Sequence, residues 1–401
     1  ASKPAAQTRT DTIDADGAWQ IARRYNPDLR VARAIAGVAY AGRTAAGRWQ
    51  DPQLGGAARS APDGLQLELS LNFVIPLSTR RIAAAAAAKA TSEAAKEQLA
   101  ATALATEIGL RRAWLQWAAA ARRKALLDAH AEAVVPLLNA ATATAKAGEL
   151  SPAVAGVASI NALMLRQRQL RATAAETMRR RRVLRWMGLR PNAPLNLVVN
   201  PAISARADDS PAAGLADVDQ IRRHHPRLLA EIARYEAAEQ GLRQQVAKQI
   251  PDLVLGPNYE AASGQSALGL GFGLPIAAIN ANRQGIATAR ARRDLQRLRV
   301  HQTLQSLLTD ASDARARIAL VTVQVNHLQQ EVTPAIRAIL RQLMALQGAG
   351  ELDTLAVIQA LDRALQARLS AVDAGARLRL AQLDLAAAVP NGLPQGGEVK
   401  R

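Results

Sequence analysis

Hydrophobic and polar residues alternate strictly over two short stretches of the chain. From 65 to 73, Leu or Phe occupies every odd position and a polar residue every even one. From 268 to 274, Leu and Phe alternate with Gly in the same way. Because successive side chains on a β-strand point to opposite faces, both stretches predict strands with one apolar face. Turn residues precede each stretch, which predicts two β-hairpins, over 52–76 and 251–275.

Each predicted hairpin is followed by a long stretch almost free of helix-breaking residues. Residues 78–147 and 281–347 consist mainly of good helix formers, and each predicts a helix roughly 100 Å long at ~1.5 Å per residue. We expect Pro136 and Pro334 to kink these helices. In the second stretch, apolar residues recur at alternating gaps of four and three, typical of a coiled-coil seam. The seam consists of Leu307, Ala311, Ala314, Ile318, Val321, Val325, Leu328 and Val332.

The whole pattern occurs twice, which predicts tandem repeats at 1–216 and 217–401. Pro27, Pro52, Phe73 and Pro76 are each matched by the same residue type 199 positions later. The first repeat is predicted to contain a helix at 26–49, a hairpin at 52–76, a long helix at 78–147, a return helix at 152–188 and a proline-rich linker at 190–216. The second is predicted to contain a helix at 225–249, a hairpin at 251–275, a long helix at 281–347, a return helix at 354–389 and a C-terminal tail.

Composition favours long, closely packed helices over an ordinary globular core. Aromatic residues make up only 3% of the chain and apolar residues 49%, so small side chains must supply much of the packing. No run of ~18 apolar residues occurs, which argues against a transmembrane helix. There is no Cys to form a disulfide or a thiolate metal site. The N-terminus shows no apolar signal segment, so we expect a cytoplasmic protein or a mature form whose signal peptide has been removed.

The chain is strongly basic, with a net charge of +18 carried mainly by Arg. Arg is spread along nearly every predicted helix, as on a solvated face, and aromatic stacking residues are missing near the basic clusters, which disfavours nucleic-acid binding. No P-loop, dinucleotide fingerprint or nucleophile elbow occurs, and the five His form no ligand-spaced cluster. We therefore predict no enzyme activity, no cofactor and no metal site. Metal binding by His224 and His225 is a less favoured alternative to the end of a short helix.

The two hairpins have the length that a membrane-crossing sheet requires. Their arms hold about 10 residues each, enough to cross an outer membrane when tilted. Four strands cannot close a barrel and an open edge is not tolerated in lipid, so closure would take several chains, and three would give 12 strands around a water-filled lumen. The alternative is a small soluble sheet packed on helices. The residues predicted to face lipid are Leu67, Leu69, Leu71, Phe73, Leu268, Leu270 and Phe272.

Several short motifs occur in the order and at the spacings of a known family. They are Asn-Pro-Asp-Leu at 26–29, Trp-Gln-Asp-Pro at 49–52, Pro-Asp-Leu-Val-Leu-Gly-Pro-Asn-Tyr at 251–259, Gly-Phe-Gly-Leu-Pro-Ile at 271–276, Asn-Arg-Gln-Gly at 282–285, and the turns at 147–152 and 350–353. Over about residues 12–390 the chain resembles the TolC-type outer membrane efflux family, and within it the heavy-metal branch of the CzcC and CusC kind. The implied fold is mainly α with a small β part.

The resemblance implies a homotrimer in the outer membrane of a Gram-negative bacterium. A 12-stranded β-barrel would continue into a long α-helical periplasmic barrel, which forms the exit duct of a tripartite efflux pump. The implied partners are a periplasmic adaptor protein, an inner-membrane RND-type pump and outer-membrane lipid, with no nucleic acid. Metal cations or small toxic compounds would be exported. A periplasmic adaptor or a soluble coiled-coil scaffold remains the alternative, although an adaptor would contain one helical hairpin beside β-rich modules.

The layout predicts two functional regions at the ends of the long helices. The first is the pair of turns that would dock the adaptor, and the second is the constriction that would close the tunnel. The docking turns comprise Gly148, Glu149, Leu150, Ser151, Gly350, Glu351, Leu352 and Asp353. The predicted constriction comprises Asp353, Gln359 and Asp362, with Arg337, Arg341 or Arg363 as its basic partner.

Overall fold

A computed structural model describes residues 12–62, 64–148, 151–198, 215–262, 264–275, 281–348 and 354–389 of the chain, which are mainly helical. The helices in these ranges are α1 (Ala15–Tyr25), α2 (Pro27–Ala45), α3 (Arg80–Lys146), α4 (Pro152–Trp186), α5 (Leu215–His224), α6 (Pro226–Ala247), α7 (Arg283–His327), α8 (Thr333–Gly348) and α9 (Thr354–Ala388). The strands are β1 (Thr12–Ile13), β2 (Gln53–Ala61), β3 (Gly64–Pro76), β4 (Asn196–Leu197), β5 (Asp252–Ala262) and β6 (Gln265–Gly273). Among the helices so described, none is long and apolar enough to cross a membrane.

Backbone packing divides the chain into two compact units, and each unit draws on both halves of the sequence. The first unit comprises Ala1–Arg30, Ala103–Gln220 and Leu307–Arg401. The second comprises Val31–Thr102 and Ile221–Ser306. The boundaries of these units differ from those of the two predicted sequence repeats, because each unit contains segments of both repeats. The division of the chain into repeats stays a prediction.

The core of the first unit gathers apolar side chains from α1, α3, α4 and a small parallel sheet formed by β1 and β4. Trp114 and Trp117 meet edge to face with ring centroids 5.2 Å apart. Trp117 Nε1 donates to Glu176 Oε1 at 2.8 Å, which satisfies the polar end of a buried ring. Alanine side chains at the contact let the helices approach closely. The buried members are Ile13, Ala15, Ala18, Ala22, Leu110, Ala113, Trp114, Trp117, Val183, Leu184, Met187 and Leu197.

Asn26 fixes the start of α2 in the same unit and is almost fully buried. Its Oδ1 accepts hydrogen bonds from the backbone N–H groups of Asp28 at 2.9 Å and Leu29 at 3.1 Å. Its Nδ2 donates to the carbonyl oxygen of Trp186 at 2.8 Å. One side chain thus satisfies unpaired groups at the start of α2 and at the end of α4. Pro27 follows at the first helical position, where no N–H donor is needed.

Helices α3, α4 and α9 of the first unit pack through two apolar clusters. Ion pairs also join α3 to α9: Arg123 contacts Asp373, and Arg112 Nη2 lies 2.5 Å from Asp384 Oδ1. Because such half-exposed pairs contribute little individually, the clusters supply most of the packing free energy. The first cluster contains Leu127, Ala131, Leu165, Ala172 and Leu365. The second contains Val134, Leu138, Ala141, Ala158 and Ile358.

The second unit contains a four-stranded antiparallel sheet of order β2–β3–β5–β6. Each predicted hairpin supplies two strands, and the hairpins join through β3 and β5, so β2 and β6 are the edges of the sheet in a single chain. The pairing of β3 with β5 is interrupted opposite Gly256 and Pro257. Pro257 has no N–H to donate, and a Cβ on Gly256 would overlap the carbonyl oxygen of Leu71.

The helix predicted over 281–347 is not continuous. α7 ends at His327, a π-helical turn (Leu328–Val332) follows, and α8 resumes at Thr333. Pro334 is the physical reason, because its nitrogen carries no hydrogen and its ring crowds the preceding turn. The wider π turn accommodates that loss without ending the helical path. By contrast, α3 continues through Pro136 as one helix of 67 residues.

Candidate functional site

The register of the four-stranded sheet places most apolar side chains of both hairpins on one face, whereas Val74 and Val254 lie opposite each other on the other face. Leu69 lies opposite Tyr259, which in turn lies opposite Leu268. In the single chain, Leu268 and Phe272 are each 80% exposed. A contiguous apolar surface of this kind marks contact with an apolar environment. All the predicted lipid-facing residues belong to this face: Leu67, Leu69, Leu71, Phe73, Leu268, Leu270 and Phe272.

The opposite face of the sheet carries every charged residue of strands β2, β3, β5 and β6. The register pairs Glu68 with Glu260 across β3 and β5. It also pairs Arg59 with Gln66 across β2 and β3, on the same face. Ser70 and Asn258 oppose each other one row further along. This sheet therefore has one face suited to water and one suited to an apolar phase. The charged residues are Arg59, Glu68, Asp252 and Glu260.

Contacts at the junction between strands and helices hold the end of the sheet. Arg80 Nη1, in the first turn of α3, lies 2.5 Å from Asp252 Oδ2 at the start of β5. The next residue, Arg81, places its guanidinium 4.3 Å from the centroid of the Trp49 ring. Arg81 Nε also donates to the carbonyl oxygen of Gly47 at 3.0 Å. The start of α3 is thus tied both to β5 and to the segment that leads into β2.

The predicted docking turns lie only partly within the described residues. Gly148 follows the end of α3 with a φ of +83°, the left-handed value that Gly adopts past helix ends. Ser151 is the N-cap of α4, and its side-chain oxygen accepts the N–H of Ala153 at 3.3 Å. These two residues therefore lie at the end of α3 and at the start of α4. Outside the described residues lie Glu149, Leu150, Gly350, Glu351, Leu352 and Asp353.

Two of the three predicted constriction residues, Gln359 and Asp362, lie one turn apart on α9, and Asp353 falls outside the described residues. Asp362 forms an ion pair with a residue of α4 and lies near a residue of α3. Its Oδ1 lies 2.9 Å from Arg168 Nη1 on α4. The same oxygen lies 3.9 Å from His130 Nε2 on α3. The carboxylate therefore joins α9 to α4, with His130 of α3 packed beside the pair.

The predicted basic partner of Asp362 was wrong. The sequence favoured Arg337, Arg341 or Arg363, whereas the structure pairs Asp362 with Arg168. Adjacent residues on a helix do not face each other, so Arg363 projects in another direction. The real partner lies 194 positions away in sequence, and only the packing of α4 against α9 brings it near.

His130 is a second residue that sequence reasoning missed at this carboxylate. Its side chain is only 9% exposed. Burial lowers the pKa of the imidazole, Asp362 opposes that effect, and Arg168 and Arg368 reinforce it. His130 is therefore neutral near pH 7 and takes part in packing beside the charged pair. No sequence spacing could have indicated this, because His130 and Asp362 lie on distant helices.

The adjacent His224 and His225 serve as a helix boundary. α5 ends at His224, and the buried His225 is the N-cap of α6. Its Nδ1 accepts the backbone N–H of Arg227 at 3.2 Å. Within the described ranges, no group of three or more His, Cys, Asp or Glu could hold a metal ion. Because α5 has ten residues and ends at His224, the interpretation of this pair as the end of a short helix is confirmed.

The fold built from these elements is that of outer membrane channels. A solved structure of CusC, reported with its transmembrane channel formation, superposes with a TM-score of 0.77 at 16% identity, covering 96% of this chain and 94% of that one. The CmeC outer membrane channel of Campylobacter jejuni superposes with a TM-score of 0.78 at 14% identity, covering 94% of this chain and 85% of that one. The open state of the MtrE outer membrane channel of Neisseria gonorrhoeae superposes with a TM-score of 0.71 at 16% identity, covering 94% of this chain and 89% of that one.

Sequence comparison adds no closer relationship. No protein-family model matches the chain. No curated protein matches it either. At identities of 14–16% the solved channels show the fold, so substrate and partners must be argued from the residues of this chain.

Proposed function

We propose that this chain is the outer-membrane exit duct of a tripartite efflux pump. The observation that carries the proposal is a sheet with two unpaired edges, one exposed apolar face and all its strand charges on the other face. An edge strand leaves N–H and C=O groups unpaired, which lipid does not tolerate. Pairing β6 of one copy with β2 of the next removes both edges. Three copies of the four-stranded sheet give a barrel of 12 strands with the polar face around water.

The long helices would continue this duct as a periplasmic tunnel. α3 alone has 67 residues, which at ~1.5 Å per residue is roughly 100 Å. The turn bounded by Gly148 and Ser151 would dock a periplasmic adaptor, together with its counterpart at 350–353. An inner-membrane RND-type pump would supply the energy, so the duct itself needs only weak contacts with the passing solute.

The pair of Asp362 with Arg168 supports a resting constriction on α9. In a trimer, Gln359 and Asp362 would each occur three times around the axis. Three carboxylates close together repel one another unless a positive charge is near, and Arg168 supplies it at 2.9 Å. Release of this pair would remove one of the contacts that hold α9 against α4 and so favour a wider tunnel.

Metal cations or small toxic compounds are the proposed substrates. The heavy-metal branch is the part of the TolC-type family that the sequence motifs resemble, and CusC is one of the structural neighbours. CmeC, OprN, VceC and MtrE are further neighbours of the same fold.

Mass measurement in detergent tests the assembly on which the proposal depends. A trimer has three times the 42.5 kDa mass of the chain, and light scattering with detergent correction separates it from a monomer. The same preparation should conduct ions in a planar bilayer. A stable monomer, or a trimer without conductance, would contradict the proposed duct.

A further inference from the structure

The sheet carries a charge opposite in sign to that of the whole chain. The chain contains 51 basic and 33 acidic residues. Strands β2, β3, β5 and β6 contain one basic residue, Arg59, and three acidic ones, Glu68, Asp252 and Glu260. Asp252 is already neutralised by Arg80 at 2.5 Å. The acidic charge that remains in the strands therefore belongs to Glu68 and Glu260.

Glu68 and Glu260 form one row across the sheet. They lie directly opposite each other on β3 and β5, and both are exposed. The row continues to Ala57 on β2 and to Ala267 on β6, so it contains no basic residue. Like charges directly opposite in a sheet are destabilising. The arrangement therefore costs stability, and a role in the sheet's own packing does not explain it.

The basic residue in the strands on this face does not neutralise the negative charge of the row. Arg59 lies in the next row, opposite Gln66. If three chains close the barrel, each chain contributes two carboxylates and one guanidinium to these two rows. The lumen is then net negative at this level. The spacing between rows is ~7 Å, within the ~10 Å over which charges act at 0.1 M salt.

We infer that Glu68 and Glu260 make the duct favour cations over anions where it crosses the membrane. The inference rests on the proposed function, since the polar face of the sheet must line the lumen. A ring of carboxylates raises the local concentration of cations and repels anions. No tightly bound ion is required, and weak attraction permits rapid release. The substrate class that this wall fits is a cation, whether metallic or organic.

Reversal potentials under a KCl gradient near 0.1 M, a probe of K⁺ against Cl⁻, test the inference. The native trimer should pass K⁺ preferentially. Replacing both residues, Glu68→Gln with Glu260→Gln, should lower the ratio of K⁺ to Cl⁻ permeability about fivefold, which corresponds to ~1 kcal/mol of Coulomb attraction. The matched control, Glu68→Asp with Glu260→Asp, keeps both charges and should keep the ratio. Glu68→Lys with Glu260→Lys should make the duct favour Cl⁻.

The outcomes separate this inference from the function on which it rests. An unchanged permeability ratio in the conducting Gln variant would overturn the inference and leave the duct intact. Absence of conductance from the native trimer would reject the proposed function and the inference together. If the double variant does not assemble, the single variants Glu68→Gln and Glu260→Gln replace it. Each should then lower the ratio, and an unchanged ratio in both would overturn the inference.

Discussion

Replacing Leu270 by Arg tests whether the apolar face of the sheet lies in lipid. Leu270 is next to the midpoint of β6, opposite Pro257, and is 69% exposed in the single chain. At the midplane of a bilayer, Arg on the lipid face of a barrel costs about 2–4 kcal/mol. On a water-exposed sheet the same surface substitution would stay within about 0.5 kcal/mol. A cost of ~2 kcal/mol is already a factor of about 30 in the ratio of folded to unfolded protein.

The position of Leu270 along the strand justifies the larger cost. β6 has nine residues, which at ~3.4 Å each and a tilt of ~45° span roughly 20 Å of membrane. Leu270 is one residue from the centre, whereas costs fall to ~0–1 kcal/mol near the interfaces. Ala267 provides a matched control on the same strand. It lies on the opposite face and opposite Glu260, so Arg there meets water and a carboxylate.

Folding from urea into phospholipid vesicles measures both costs as changes in the free energy of unfolding. Leu270→Arg should lose about 2–4 kcal/mol, and Ala267→Arg should change by less than about 0.5 kcal/mol. The slope against urea should match that of the native chain, so that the difference reports stability alone. Equal changes in the two variants would refute the assignment of faces.

Three further predictions concern the helical part of the protein. Asn26→Ala should lower the free energy of unfolding by about 2 kcal/mol, because it removes an N-cap and leaves a buried carbonyl oxygen unpaired; a thermal-denaturation change below ~0.5 kcal/mol would speak against that cap. Asp362→Ala should raise single-channel conductance by removing the carboxylate at the constriction and its ion pair with α4, and Asp384→Ala is the control for losing another paired carboxylate of α9. No difference between these two variants would place the constriction elsewhere. Lys at both Glu149 and Glu351 should abolish efflux with trimers still in the membrane, whereas unchanged efflux would reject docking through these charges.

Local patterns along the chain were enough to predict the kinds of element. Strict alternation from 65 to 73 predicted β3, because neighbouring side chains on a strand face opposite ways. The long runs of helix formers predicted α3 and the path of α7 and α8, since most residues there favour the same backbone conformation. Gly148 marked the end of α3 and Ser151 the start of α4, because their preferences for helix ends are properties of single residues. The mainly helical fold with a small β part therefore followed from the sequence.

Other features depend on residues far apart in the chain, and only the tertiary structure decided them. Alternation within each hairpin does not say which strands of the two hairpins pair. The structure showed that β3 pairs with β5, and its register showed that Glu68 lies opposite Glu260. The partner of Asp362 came from α4, because a residue 194 positions away left no local signal. The small sheet of β1 and β4 was also missed, since two residues are too few to show a period. Sequence periodicity reports the environment of each face, whereas packing decides which faces and charges meet.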